Sequence, residues 1–295
     1  AIRLAASGAK IVITARNQEA LEETCAEIHA AGGQAYSYVC DGADFEAAYE
    51  AYEAQGLARK TLPAREVLKT IARLQLESGG PYIHNADLIN RCSNVRQIDG
   101  KEAPVAHSNL CAEIVQPSTP QKPALCNLAS INLRRFLVRG EAREAGEAKF
   151  DFPKLKEVVE HVVRSLDRVI EVTKLFDEEM RLYNKAVRPM GLGVQGFADV
   201  LQSLRLPWKS DGARQFNVNL FACIYWTAVK TSAQLAAFHG PHDGWKLTDT
   251  GRGIFHPDHF GDAAFEPEPH VISPQEIEQI RTDVKTNGMR NSYLI

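Results

Sequence analysis

The sequence predicts an α/β fold, and three observations carry that prediction. A β-branched run, Lys10-Ile11-Val12-Ile13-Thr14, is followed within the first 41 residues by a helical segment and a second apolar run. Two long stretches, Asp151 to Val172 and Asp211 to Phe238, carry apolar residues at helical spacing. Around them lie stretches dense in Asn, Ser, Pro and Gly, the composition of loops and short strands.

In order along the chain, Lys10 to Thr14 reads as a buried strand. Gln18 to Ala31 follows as a helix, with Leu21, Cys25 and Ile28 on one face and Gly32-Gly33 as its stop. Tyr36 to Cys40 is a second strand, so the segment has the order of a parallel βαβ unit. Residues 45–77 are charged, Ala-rich and helical, interrupted at Pro63 and ended by Gly79-Gly80-Pro81. Residues 82–135 read as loops and short strands. Asp151 then caps a helix with Pro153 in its first turn, and Leu155, Val158, Val162, Leu166, Val169 and Val172 form its apolar stripe. A further helix runs from about Asp211 to Phe238, stopped near Gly240. Residues 241–272 read as loop, and Pro274 to Lys285 as a last amphipathic helix. No internal repeat is visible.

The bulk numbers narrow the function classes. With 295 residues the chain makes one large domain or two ordinary ones. A hydrophobic fraction of 44% with 24% charged residues places it among soluble globular proteins and not disordered ones. The net charge of −3 gives no basic excess for a nucleic-acid groove. No apolar run approaches the ~18 residues of a membrane-spanning helix. The N-terminus lacks an initiator Met and a signal-type apolar core, so the expectation is a cytoplasmic, truncated or fused product. The six cysteines, Cys25, Cys40, Cys92, Cys111, Cys126 and Cys223, are scattered with no C-x-x-C pair, which argues against zinc and for reduced thiols. Cys223 sits on an apolar helical face and reads as core. The run Gly191-Leu192-Gly193-Val194-Gln195-Gly196 fits G-x-G-x-x-G but follows Arg188-Pro189-Met190 where a dinucleotide fold needs an apolar strand, so close backbone packing is the better reading.

Two family resemblances sharpen this. The stretch Ala5-Ala6-Ser7-Gly8-Ala9-Lys10-Ile11-Val12-Ile13-Thr14-Ala15-Arg16-Asn17 is similar to the second βαβ unit of short-chain dehydrogenases. That likeness implies a basic residue at Arg16 for the 2′-phosphate of NADP and an Asp at Asp41 beside the adenine. The first strand and its Gly-rich turn, which would hold the pyrophosphate, have no counterpart here, nor do the catalytic Ser, Tyr and Lys. A remnant of residues 1–44 without bound nicotinamide is the expectation.

The rest, residues 45–295, resembles the large, catalytic subunit of class I ribonucleotide reductases. The resemblance rests on an ordered set: Tyr82-Ile83-His84-Asn85-Ala86-Asp87, then His107-Ser108-Asn109-Leu110-Cys111-Ala112-Glu113-Ile114, then Ala124-Leu125-Cys126-Asn127-Leu128-Ala129-Ser130. Arg188-Pro189-Met190-Gly191-Leu192-Gly193-Val194-Gln195-Gly196 and Gly288-Met289-Arg290-Asn291-Ser292 complete it. The implied fold is part of a ten-stranded α/β barrel. The implied site is Asn109, Cys111, Glu113 and Cys126, with Ser108 to Glu113 against the substrate.

The implied chemistry explains these residue types. A thiyl radical on Cys111 can reversibly take the strong ribose C3′–H hydrogen. Glu113 accepts the 3′-OH proton as a general base, and Asn109 hydrogen-bonds the sugar and the neighbouring carboxylate. The 2′-OH leaves as water, and a thiol pair including Cys126 supplies two electrons by becoming a disulfide. The family partner of Cys126 lies upstream, where this chain is dehydrogenase-like; Cys25 and Cys92 do not match it. The phosphate-binding loop and relay tyrosines lie beyond Ile295 in the family, and Gly80 stands where an Arg is usual. The resemblance implies ribonucleoside diphosphate substrates, a small subunit with a di-metal radical centre, a thioredoxin- or glutaredoxin-type reductant, a homodimer, and no cofactor or metal on this chain. Turnover by the chain alone is not expected. The alternatives are an NADP-dependent short-chain dehydrogenase, which would need a Tyr-x-x-x-Lys that Tyr183-Asn184-Lys185 does not supply, and a non-catalytic fused fragment.

Overall fold

The computed structural model describes residues 10–15, 18–39, 45–57, 61–98, 100–138, 148–261 and 266–294. By compactness the chain divides into two units, Ala1–Tyr82 and Ile83–Ile295.

In the first unit β1 (Lys10–Ala15), α1 (Gln18–Ala30) and β2 (Gln34–Val39) follow in the predicted order. The strands pair in parallel, Lys10 opposite Gln34 through Ala15 opposite Val39. Leu21, Cys25 and Ile28 are buried along one face of α1, as their spacing requires. Two helices complete the unit, α2 (Phe45–Ala54) and α3 (Ala64–Ser78). The latter starts after Pro63 and ends where Gly79 adopts a left-handed conformation.

The second unit opens with α4 (Ala86–Cys92), a helix where loop is expected, and a two-residue ladder of β3 (Gln97–Ile98) with β4 (Lys101–Glu102). Next come β5 (Asn127–Asn132) and a second short ladder of β6 (Leu137–Val138) with β7 (Lys149–Phe150). The helix α5 (Phe152–Val172) is followed by α6 (Glu178–Val187), β8 (Met190–Gln195) and α7 (Phe197–Ser203). The long α8 (Asp211–His239) and α9 (Pro274–Asn287) close the order, with three short 3-10 turns among the described residues of the intervening 241–272 loop. Among the described residues of this unit, β5 and β8 form the one parallel pair, and no closed barrel forms. No described helix is long and apolar enough to cross a membrane.

The long helices begin where their caps say they should. Asp151, Ser210 and Ser273 each accept the backbone N–H three residues on, at 2.9, 3.1 and 3.1 Å. Such caps are worth ~1 kcal/mol apiece. The helices α5 and α8 run side by side in the same direction, since Phe152 meets Phe216 near their starts and Arg164 meets Gln234 further along. The core stripe of α5 departs from the expected one. Leu155 and Leu166 are buried, but Val159, Val163 and Ile170 are their companions, while Val169 and Val172 face solvent. Apolar pairs at 158–159 and 162–163 offer two neighbouring stripes, and period alone does not choose between them.

The choice is made by a buried ionic node. Arg188 is 2% exposed and caps α6 in a left-handed conformation. Its Nε and Nη2 donate to Asp167 Oδ1 at 2.9 and 2.8 Å, and its Nη1 reaches Glu171 Oε1 at 2.5 Å. Asn291 donates to both Asp167 Oδ1 and the Arg188 carbonyl, each at 3.2 Å, and accepts from Ser232 Oγ at 2.8 Å. One cluster thus ties α5, the start of β8, α8 and the C-terminal segment. Truncating one partner of a buried pair strands the other charge. Asp167→Ala is therefore expected to lower unfolding stability by ~3–5 kcal/mol, measured by urea denaturation. A loss below ~1 kcal/mol, the range of exposed pairs, would show that the node is not a stabilising element.

Candidate active site

The site is built on β5 and β8. In their register Asn127 faces Met190 and Leu128 faces Gly191. Buried Asn127 fixes the start of β5, donating from Nδ2 to Asn184 Oδ1 at 3.0 Å and to the Pro189 carbonyl at 2.9 Å. The Met190 N–H donates to the Tyr293 carbonyl at 3.1 Å, which brings the C-terminal segment alongside β8. Cys126, immediately before β5, is thereby held at the edge of the parallel pair.

Residues 108–114 form one loop. The Ala112 N–H donates to the Asn109 carbonyl at 3.0 Å, with Ala112 at φ 64°. Ser108 Oγ donates to the Ile114 carbonyl at 2.7 Å, and the Ile114 N–H donates to Asn109 Oδ1 at 3.0 Å. The loop therefore engages the side-chain oxygen of Asn109 itself. Leu110 is 90% exposed, and Cys111 and Glu113 also lie at the surface.

A cavity of about 460 Å³ opens between this loop and the strand pair, lined by Glu113 and Cys126 together with Leu128, Met190, Gly191 and Tyr293. Asn109 and Cys111 sit on the adjoining turn and are not among its lining residues. Among the described lining residues, Cys126 is the one thiol. Burial, and next the negative charge of Glu113, push the Cys126 thiol up to about 11, against a hydrogen bond from Asn127 backbone that lowers it. Cys126 is thus a protonated thiol at neutral pH. Cys223 is buried in α8, and burial pushes its thiol up to about 12.

The glycine-rich run forms β8 itself, with Gly196 at φ 78° capping the short α7, so it makes no phosphate-binding turn. Arg16 and Asp41, singled out for a nicotinamide cofactor, lie outside the described residues. Among the described residues no three His, Cys, Asp or Glu side chains converge as a metal site. The sequence reading missed Tyr293, whose placement depends on the long-range contact with Met190, and it read Met190 and Gly191 only as part of a motif.

The family model described as ribonucleotide reductase, barrel domain, matches residues 16–295, and the chain belongs to that family. It is similar to the ribonucleoside-diphosphate reductase large subunit of Caenorhabditis elegans, 37% identical over 259 residues that cover 87% of this chain and 30% of that protein. The large chain of Neurospora crassa is 35% identical over 257 residues, covering 86% of this chain and 26% of its own length. The large subunit of Arabidopsis thaliana is 34% identical over 268 residues, covering 87% and 32%. The chain thus spans about 30% of the length of curated relatives such as the first of these.

The thiol environments set a reactivity order. Exposed Cys111 is expected to be alkylated by iodoacetamide at pH 8 well before Cys126 and Cys223, because only the thiolate reacts. Peptide mass spectrometry over a time course reads the order. Labelling of Cys126 ahead of Cys111 would contradict the environment described for it.

Proposed function

We propose that this chain carries the radical-bearing part of the catalytic barrel of a ribonucleoside-diphosphate reductase large subunit. The observation that carries the proposal is the shared cavity of Glu113 and Cys126 beside the turn that bears Cys111. In this reading a ribonucleoside diphosphate lies over the turn with its ribose toward Cys111. The Cys111 thiyl takes the C3′ hydrogen and becomes a thiol, while Glu113 accepts the 3′-OH proton. The 2′-OH leaves as water with a proton from Cys126, whose raised pKa keeps that proton available at neutral pH. Asn109 holds the sugar through its amide donor. The electron pair comes from Cys126 and a second thiol, which join as a disulfide as C2′ takes up a hydrogen; Glu113 returns its proton to the 3′ oxygen, and Cys111 gives its hydrogen back to C3′ and is again a thiyl.

The radical would come from a small subunit with a di-metal centre, and the disulfide would be reduced by a thioredoxin- or glutaredoxin-type protein. A homodimer in the cytoplasm, without nucleic acid, completes the reading. With one thiol among the described residues that line the cavity, the chain by itself is not expected to sustain turnover. Residues 1–44 are proposed as a dehydrogenase-like βαβ fragment joined to the reductase portion at 45–295; the parallel β1–β2 pair supports this, while the family match reaches back across the fragment to residue 16.

The test uses thiol protection. A ribonucleoside diphosphate at millimolar concentration is expected to slow alkylation of both Cys111 and Cys126 several-fold, leaving Cys92 unchanged, with the protection weakened in Glu113→Ala. Equal rates with and without nucleotide would overturn the assignment of this cavity and turn to the substrate.

A further inference from the structure

Gly191 stands in β8 opposite Leu128 and lines the cavity with Cys126. A Cβ added at Gly191 would lie 2.5 Å from Leu128 Cδ2 and 3.1 Å from Cys126 Sγ. At Gly193, two residues along the same strand face, the nearest atom to such a Cβ is the Ala129 carbonyl oxygen at 3.8 Å. Gly191 is not at positive φ, so space and not backbone conformation demands glycine there. The two clashes differ in kind. Leu128 is 58% exposed and can swing outward, whereas the Cys126 sulfur is half-buried in the cavity wall beside Glu113.

We propose that Gly191 is a positioning residue for Cys126: its missing side chain leaves the room in which the sulfur faces the cavity. A methyl group there would cover the sulfur, drive it from its place and deepen its desolvation. The functional meaning rests on Cys126 serving as a reducing thiol, but the geometry does not.

The experiment follows the alkylation rate of Cys126 against pH in the 295-residue chain, with Cys111 as internal control and no nucleotide present. Gly191→Ala is expected to slow Cys126 by about tenfold at fixed pH, the effect of one unit of thiol pKa, and to move its midpoint upward while Cys111 is unchanged. Leu128→Ala removes the 2.5 Å clash. The double variant should therefore fold even where Gly191→Ala alone does not, and should keep the slow Cys126. An unchanged Cys126 rate in either glycine variant, or full recovery in the double variant, would overturn the proposal, the latter by showing that Leu128 transmits the effect. Nucleotide protection could fail independently, so the two outcomes are separable.

Discussion

The second unit depends on one buried cation. Arg188 is enclosed by Asp167, Glu171 and Asn291, and every partner comes from a segment distant in sequence. A guanidinium out of water is tolerable only when its donors are matched, and this one is matched bidentately on one carboxylate oxygen and again on a second acid. Burial opposes ionisation of Glu171, but Arg188, Lys185 and Arg290 together hold its carboxyl below the usual range. The node sits at the entrance to β8, two residues before Met190. It anchors the chain there together with the Asn127 bond to the Pro189 carbonyl.

From there the constraint passes to the cavity by short steps. Once β8 is anchored, its register with β5 places Gly191 opposite Leu128 and leaves Cys126 at the strand edge. Asn291 holds the C-terminal segment to the same node, and Tyr293 beyond it meets Met190 and lines the cavity. The loop of Asn109 to Glu113 closes on its own hydrogen bonds and delivers Glu113 to the cavity while Cys111 stays on the turn. A protonated thiol beside a carboxylate is the pairing that the proposed reduction would use.

Much of this was legible in the sequence where the signal is local. The βαβ order, the cap at Asp151, and the stop at Gly240 depend on neighbours within a turn or two, and they fell where expected. The stripe of α5 was less legible, because burial of a polar residue, Asp167, turned the helix toward Arg188 and exposed Val169 and Val172. The strand β8 is poor in β-formers and exists because β5 lies alongside it, a fact no local window contains. The helix α6 did carry a readable start, Asp177 before Glu178 and Glu179, with Asp177 accepting from the Met180 N–H. In the site, residue types were readable through family resemblance, whereas the shared cavity of Glu113 with Cys126, and Tyr293 on its wall, required the tertiary contacts.

The most direct measurement is the titration of the Cys126 thiol in the parent chain and in Glu113→Gln, followed by pH-dependent alkylation. If the carboxylate and the thiol share one cavity, the parent midpoint lies near 11 and Glu113→Gln lowers it, because a negative charge that disfavours the thiolate has gone. Burial remains, so the midpoint should stay above that of an ordinary cysteine. The same midpoint in both proteins would contradict the placement of Glu113 beside Cys126 and, with it, the site.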